Sequence, residues 1–199
     1  MKKWFIQVGA NDGKNQDLIP DGIKNQWNGV LIEPLSFYFK KLESSYSGHR
    51  NLFLENIAIS ILQEYRKMYY IDPDFISKNN LPSWMNDIGS FDIGHIKKHI
   101  TKDYPILSQG TPCYPLSYIV KKYNIEQLDL LMVDAEGSDF EVIKSLNFNN
   151  IKPAQIIYES KHLGKNKEES IEYLKKYGYV TTVFDDGHCN ENIKAILTL

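Results

Sequence analysis

The sequence predicts an α/β fold in which a mostly parallel sheet carries helices on both faces. Three observations carry this. Short apolar runs alternate with amphipathic segments along most of the chain, the pattern of successive β-α-β units. The run Leu130-Leu131-Met132-Val133 is apolar at consecutive positions, as a strand buried on both faces requires. The last two apolar runs follow one another with no helix between them, which predicts an antiparallel edge.

The elements follow in order. Trp4 to Val8 is a buried strand ended by the turn residues of Gly9-Ala10-Asn11-Asp12-Gly13. Gln16 to Gln26 is a weak helical segment interrupted by Pro20. Gly29 to Ile32 is a second strand, ending at Glu33-Pro34. Ser36 is a capping residue for a helix through Phe37, Phe39, Leu42 and Tyr46. Leu52 to Ile59 reads as a third strand and Tyr65 to Ile71 as a further one. Asp72 to Pro112 is the least regular stretch, with one short helix over Ile93 to Ile100. Pro115 suits the first turn of a helix through Tyr123.

Leu128 to Val133 is the central strand. Ser138 with Glu141, and Asn166 with Glu169, form capping-box patterns before helices ending near Leu146 and Tyr177. Gln155 to Tyr158 is a buried strand between them. Val180 to Phe184 and Lys194 to Leu199 are the final pair, with Asp186-Gly187 in the connection.

A chain of 199 residues suits one domain, here spanning 1–199. Residues 72–114 are expected to form a lid that shapes a substrate pocket. The first strand begins almost at residue 1, as in a domain cut from a longer polypeptide. Net charge is −2 with scattered lysines, so neither nucleic acid nor an anionic membrane is the expected partner. No apolar stretch approaches the roughly 18 residues of a membrane span. Cys113 and Cys189 lie far apart, with no metal spacing, and read as free thiols of a cytoplasmic protein. Oligomeric state is not legible.

In open α/β sheets, ligands bind beyond the carboxyl ends of the strands. Those ends are unusually polar: Asn11 and Asp12, then Glu33, Asn56, Asp134 with Glu136, and Glu159 with Lys161 and His162. Each has a bland reading as well. Gly9 and Gly13 supply positive φ for a turn or let a ligand approach the backbone. Glu33 follows Gly13 at the 20-residue spacing of ribose-binding acids. Asn56 either satisfies a strand end or meets an adenine edge. Asp134 sits where a reacting centre belongs, while Glu136 serves that centre or the helix end. Neither the G-x-G-x-x-G fingerprint nor a Gly-rich Lys-Ser/Thr loop is present. A cofactor with a ribose and no phosphate needs neither, and S-adenosylmethionine is such a molecule.

The blocks "FIQVGANDGKNQD", "GVLIEP", "LENIAIS", "GSFDIGHIKKH", "LDLLMVDAEGSDFEVI" and "IIYES" stand in the order seen in FkbM-type methyltransferases, so nearly the whole chain resembles that family. The resemblance implies the class I methyltransferase fold, a Rossmann-like three-layer sandwich. Its mostly parallel seven-stranded sheet has one antiparallel strand in the edge region. It also implies S-adenosylmethionine, with Gly9, Ala10, Asn11, Asp12 and Gly13 as the first cofactor loop. Glu33, followed by Pro34, would hold the ribose, and Asn56 with Ala58 would flank adenine. Asp134 would face the methyl-transfer site, and Ser90, Phe91 and Asp92 match a family segment that returns over the cleft. Family members typically methylate oxygen, often of a sugar in a glycan or natural product.

A sugar hydroxyl is a poor nucleophile at neutral pH, so a base or a metal should assist. Base candidates are Asp134, Glu159 and His162, with His95 and His99 behind them. Asp134, Glu136 and Glu159 are the alternative ligands of one hard divalent ion, magnesium or manganese. Acceptor contacts are expected from Ser90, Asp92, His95, Lys161 and Trp84, whose ring suits sugar stacking or plain packing. The rival readings are a non-catalytic glycan- or nucleoside-binding domain and an NAD-dependent oxidoreductase. Nucleic-acid methylation is disfavoured by the charge.

Overall fold

The computed structural model describes residues 2–13, 25–185 and 191–198. The helix expected over Gln16 to Gln26 falls almost wholly outside the described residues, as do Cys189 and Asp186-Gly187.

Ten strands are described, in two sheets. The main sheet contains β1 (Trp4–Val8), β2 (Asn28–Ile32), β3 (Leu52–Glu55), β7 (Leu130–Val133), β8 (Gln155–Glu159), β9 (Tyr179–Asp185) and β10 (Glu191–Leu197). Its order is β3-β2-β1-β7-β8-β10-β9. All neighbours are parallel except β10, which runs antiparallel to both β8 and β9. The antiparallel strand is therefore one place in from the edge. The smaller sheet, β4-β6-β5, is built from β4 (Ala58–Ile59), β5 (Glu64–Ile71) and β6 (Ile106–Tyr114).

The helices are α1 (Ser36–Tyr46), α2 (Pro73–Lys78), α3 (Ile93–His99), α4 (Leu116–Lys122), α5 (Asp139–Lys144) and α6 (Asn166–Lys176), with a 3₁₀ turn over Ser83–Asn86. Strand alternation sends side chains to two faces. Ile6, Val8, Val30, Ile32, Leu131, Val133, Ile156 and Tyr158 enter one large core with Leu116 and Ile119 of α4, Phe140 of α5 and Leu174 of α6. Phe5 and Leu31 point the other way, onto Leu42 of α1. On that second face, Met132, Ile157, Thr182, Phe184, Lys194 and Ile196 line a cleft.

Three expectations are corrected. The run Leu52 to Ile59 is two strands in two sheets. The main ladder stops at Glu55, whose carbonyl accepts from Glu33 N–H, and the Asn56 side-chain amide then donates to the Glu33 and Pro34 carbonyls at 2.9 and 3.1 Å. The chain leaves the sheet there, and Ala58–Ile59 pairs with Cys113–Tyr114. Second, the irregular stretch contains the nine-residue strand β6. Its Gly110 and Pro112 read as loop chemistry, yet the Tyr65 ring covers Gly110 from β5, where an added Cβ would meet it at 2.3 Å. Third, neither capping box forms: Ser138 makes no side-chain cap bond, and Asn166 is already helical. The Asp139 carboxylate instead accepts from the Ala135 and Gly137 N–H groups of the turn before α5, both at 3.2 Å.

Candidate functional site

The carboxyl ends of β1, β2, β7 and β8 open into a cleft of ≈ 1480 Å³. Its far wall is the segment from Trp84 to Phe91, together with His99. That segment is tied to the small sheet: Tyr69 and Ser90 exchange backbone hydrogen bonds of 2.8 and 3.0 Å. The Arg66 guanidinium also lies 3.9 Å from the centre of the Phe91 ring.

The first loop is fixed by backbone. Gly9 and Ala10 N–H both donate to the Ile32 carbonyl at 3.0 Å. Gly9 has φ +80, and a Cβ there would stand 1.9 Å from the Asp134 carbonyl oxygen. Gly13 has φ +76 under the Tyr46 ring, whose hydroxyl donates to the Gly13 carbonyl at 2.7 Å. Close approach of protein to protein therefore explains both glycines. Gly9 and Asn11 line the cleft, whereas Ala10, Asp12 and Gly13 do not.

Glu33 lies at the centre of this corner, 5% exposed. Its two carboxylate oxygens accept from Asn11 N–H and Leu35 N–H, each at 2.8 Å. Burial raises its pKa to about 7 against the pull of those two hydrogen bonds, and Asp134 and Asp87 add to the rise. Leu35, Ala58, Ile59 and Met68 form apolar wall beside it. Asn56 is not among the lining residues; its amide holds the corner described above, and its carbonyl oxygen accepts from the Ser36 hydroxyl at 3.1 Å.

Asp87 carries no sequence signal, yet it joins the site. It accepts from the Asn11 side-chain amide at 2.7 Å, across 76 residues of chain. Burial, then Glu136 and Asp12, raise its pKa to about 6. Tyr38 of α1 also lines the cleft, and its hydroxyl donates to Asn86 at 2.8 Å.

Asp134 follows β7 and lines the cleft. After it the backbone turns sharply, with Glu136 at φ 48 and Gly137 at φ 92. Fully buried Asp139 holds this turn through the two N–H bonds given above; burial first, then Asp134, raises its pKa well above the ordinary value. The turn brings Glu136 to 3.3 Å from His95 Nε2 and 3.9 Å from His162 Nε2. Glu159 Oε1 is 3.8 Å from the same His162 nitrogen. The rings of His95, His99 and His162 lie 4.8–5.1 Å apart, centre to centre.

The expected acid trio is thus rearranged. Glu136, Glu159 and His162 have ligand atoms within 4.8 Å of one another, and Asp134 is not in that group. Among the expected acceptor contacts, Ser90, Trp84 and Lys161 line the cleft. Asp92 is taken up by capping α3, accepting from Gly94 N–H at 2.7 Å. His95 reaches the site through Glu136.

The fold has relatives among solved structures. A SAM-dependent O-methyltransferase from Thermotoga maritima superposes with a TM-score of 0.53 at 11% identity, over 100% of this chain and 61% of that one. The human methyltransferase 10 domain containing protein gives 0.51 at 12% identity, over 99% and 72%. A methyltransferase from Pyrococcus furiosus gives 0.50 at 8% identity, over 100% and 76%. At such identities the likeness is one of fold, that of class I methyltransferases, for which S-adenosylmethionine is the expected cofactor. No curated protein sequence matches the chain. No described helix is long and apolar enough to cross a membrane. The model of the methyltransferase FkbM domain matches residues 7–181, and the chain belongs to that family of methyltransferases.

Proposed function

We propose that this methyltransferase binds S-adenosylmethionine in the cleft and transfers its methyl group to a sugar hydroxyl oxygen. The observation that supports cofactor binding best is Glu33, a carboxylate buried at the end of β2 yet facing the cleft. Two backbone N–H groups already orient it, and a ribose diol would bring the further donors its ionised form needs. Leu35, Ala58, Ile59 and Met68 would pack the base, and Gly9, Asn11 and Asp134 border the remainder of the ligand. Bound cofactor supplies a methyl group on a sulfonium, open to in-line displacement.

Asp134 is the base in this reading. It would hold the acceptor hydroxyl opposite the departing sulfur and take its proton as the oxygen–carbon bond forms. Much of the acceleration would come from that alignment. Glu159 and His162 lie in the same wall and are the reserve proton acceptors. Trp84, 44% exposed at the rim, offers a face on which a sugar ring can stack, and residues 72–114 shape the acceptor side. The carboxylates and imidazoles of the wall suit a hydroxyl-rich acceptor, which supports oxygen as the methylated atom.

Incubation with isotope-labelled cofactor and a panel of oligosaccharides and glycosylated small molecules, read by mass spectrometry, tests this. A one-methyl mass gain on a sugar is expected. Gain only on peptides, nucleic acid or non-sugar molecules would overturn the acceptor class.

A further inference from the structure

The geometry points to a binding site for one divalent transition-metal ion, of the zinc or cobalt type, held by Glu136, Glu159 and His162 with His95 as a fourth ligand. These groups come from separate places in the chain: the turn after β7, the end of β8 and the turn beyond it, and α3. Their convergence is a product of the tertiary fold and not of local spacing. The three core ligand atoms lie within 4.8 Å of one another. His162 Nε2 is 3.9 Å from Glu136 Oε2 and 3.8 Å from Glu159 Oε1, and His95 Nε2 is 3.3 Å from Glu136 Oε2. Ligands about 2.1 Å from a tetrahedral ion sit about 3.4 Å from each other. His162 stands near that spacing from both carboxylates, and His95 stands near it from Glu136.

Two further features favour a cation. The Glu136 and Glu159 side chains keep only 15% and 9% exposure, so their negative charge is poorly served by water. Glu136 is also preset, because the left-handed backbone at 136 and 137 is braced by Asp139 from below. Mixed imidazole and carboxylate donors select first-row transition ions over magnesium or calcium, which prefer all-oxygen sets. The ligand class therefore differs from the hard-ion set expected from Asp134, Glu136 and Glu159. His99 packs its ring against His95 and His162 and would fix their orientation.

Glu136, Glu159 and His162 line the cleft, so the ion would border the acceptor. It would lower the pKa of a ligated hydroxyl or water. That role rests on the methyl-transfer reading; the binding of metal does not.

The test uses metal-stripped protein titrated with Co²⁺, read by absorption, and with Zn²⁺, read by calorimetry. One ion per chain is expected, with the visible bands of nitrogen- and oxygen-ligated cobalt. His162→Ala and Glu136→Gln should each weaken binding at least about tenfold. His49→Ala, exposed in the turn after α1, should bind as the unaltered protein does. Circular dichroism checks that each variant folds. Titrations unchanged by His162→Ala and Glu136→Gln in folded protein would overturn the site, as would magnesium binding as tightly as zinc. S-adenosylhomocysteine binding to the metal-free protein is measured in parallel, so failure of the metal site is distinguished from failure of the cofactor reading.

Discussion

Glu33 makes cofactor affinity depend on pH in a predictable direction. Its pKa in the free protein is raised to about 7, chiefly by burial. Ribose hydroxyls would donate to the ionised carboxylate, so binding favours that form and lowers the pKa. The complex then holds fewer protons than the free protein below about pH 7, and binding releases a proton there. Affinity should rise with pH and level off above pH 7. With a pKa of about 7, only about a tenth of the carboxylate is ionised at pH 6, so affinity there should be roughly tenfold below the plateau, about 1.4 kcal/mol. The assay is calorimetric titration with S-adenosylhomocysteine from pH 5.5 to 8.5, in two buffers of different ionisation enthalpy. The buffer dependence should report release approaching one proton at the acid end. Glu33→Gln should weaken binding and remove the step. An affinity flat across this range, or a Glu33→Gln protein with the same profile, would refute the reasoning.

Other expectations concern the frame around that carboxylate. Gly9→Ala places a Cβ 1.9 Å from the Asp134 carbonyl at φ +80, and should cost about 2 kcal/mol or more in chemical denaturation. Asp139→Ala leaves the Ala135 and Gly137 N–H groups without their acceptor and should cost about 1–3 kcal/mol; it should also loosen Glu136, seen as faster amide exchange at 135–138. Asp134→Asn should lower kcat by about 100-fold or more while S-adenosylhomocysteine affinity changes far less. Near-normal turnover in that variant would remove Asp134 from the chemistry.

The sequence made the sheet legible because burial writes itself locally. Consecutive apolar residues at 130–133 and the polar groups after each strand mark where strands lie and where they end. Other features depend on distant contacts. Gly110 and Pro112 hide β6 until the Tyr65 ring on β5 covers the glycine. The Leu52 to Ile59 run reads as one strand because nothing in it shows that the Asn56 amide will grip the β2–α1 corner. Asp87 enters the site through a contact spanning 76 residues, beyond any local pattern. Asp134, Glu136 and Glu159 are all at the cleft as their strand-end positions suggest. Which of them face one another is set by the left-handed turn at Glu136 and Gly137, which carries Glu136 to His162, and His162 joins Glu136 and Glu159 where Asp134 was expected. The two loop glycines show the reverse: a pattern that suggested a ligand is accounted for by Asp134 and Tyr46.

Transfer of the cofactor's methyl group to oxygen at this cleft is read directly by carbon NMR of the product formed with ¹³C-methyl-labelled S-adenosylmethionine and an acceptor drawn from the glycan panel. An oxygen-bound methyl resonance on the sugar is predicted, present with the unaltered protein and abolished or strongly reduced with Asp134→Asn. A methyl resonance bound to nitrogen or carbon, or an oxygen-bound one formed as fast by the variant, would contradict the account.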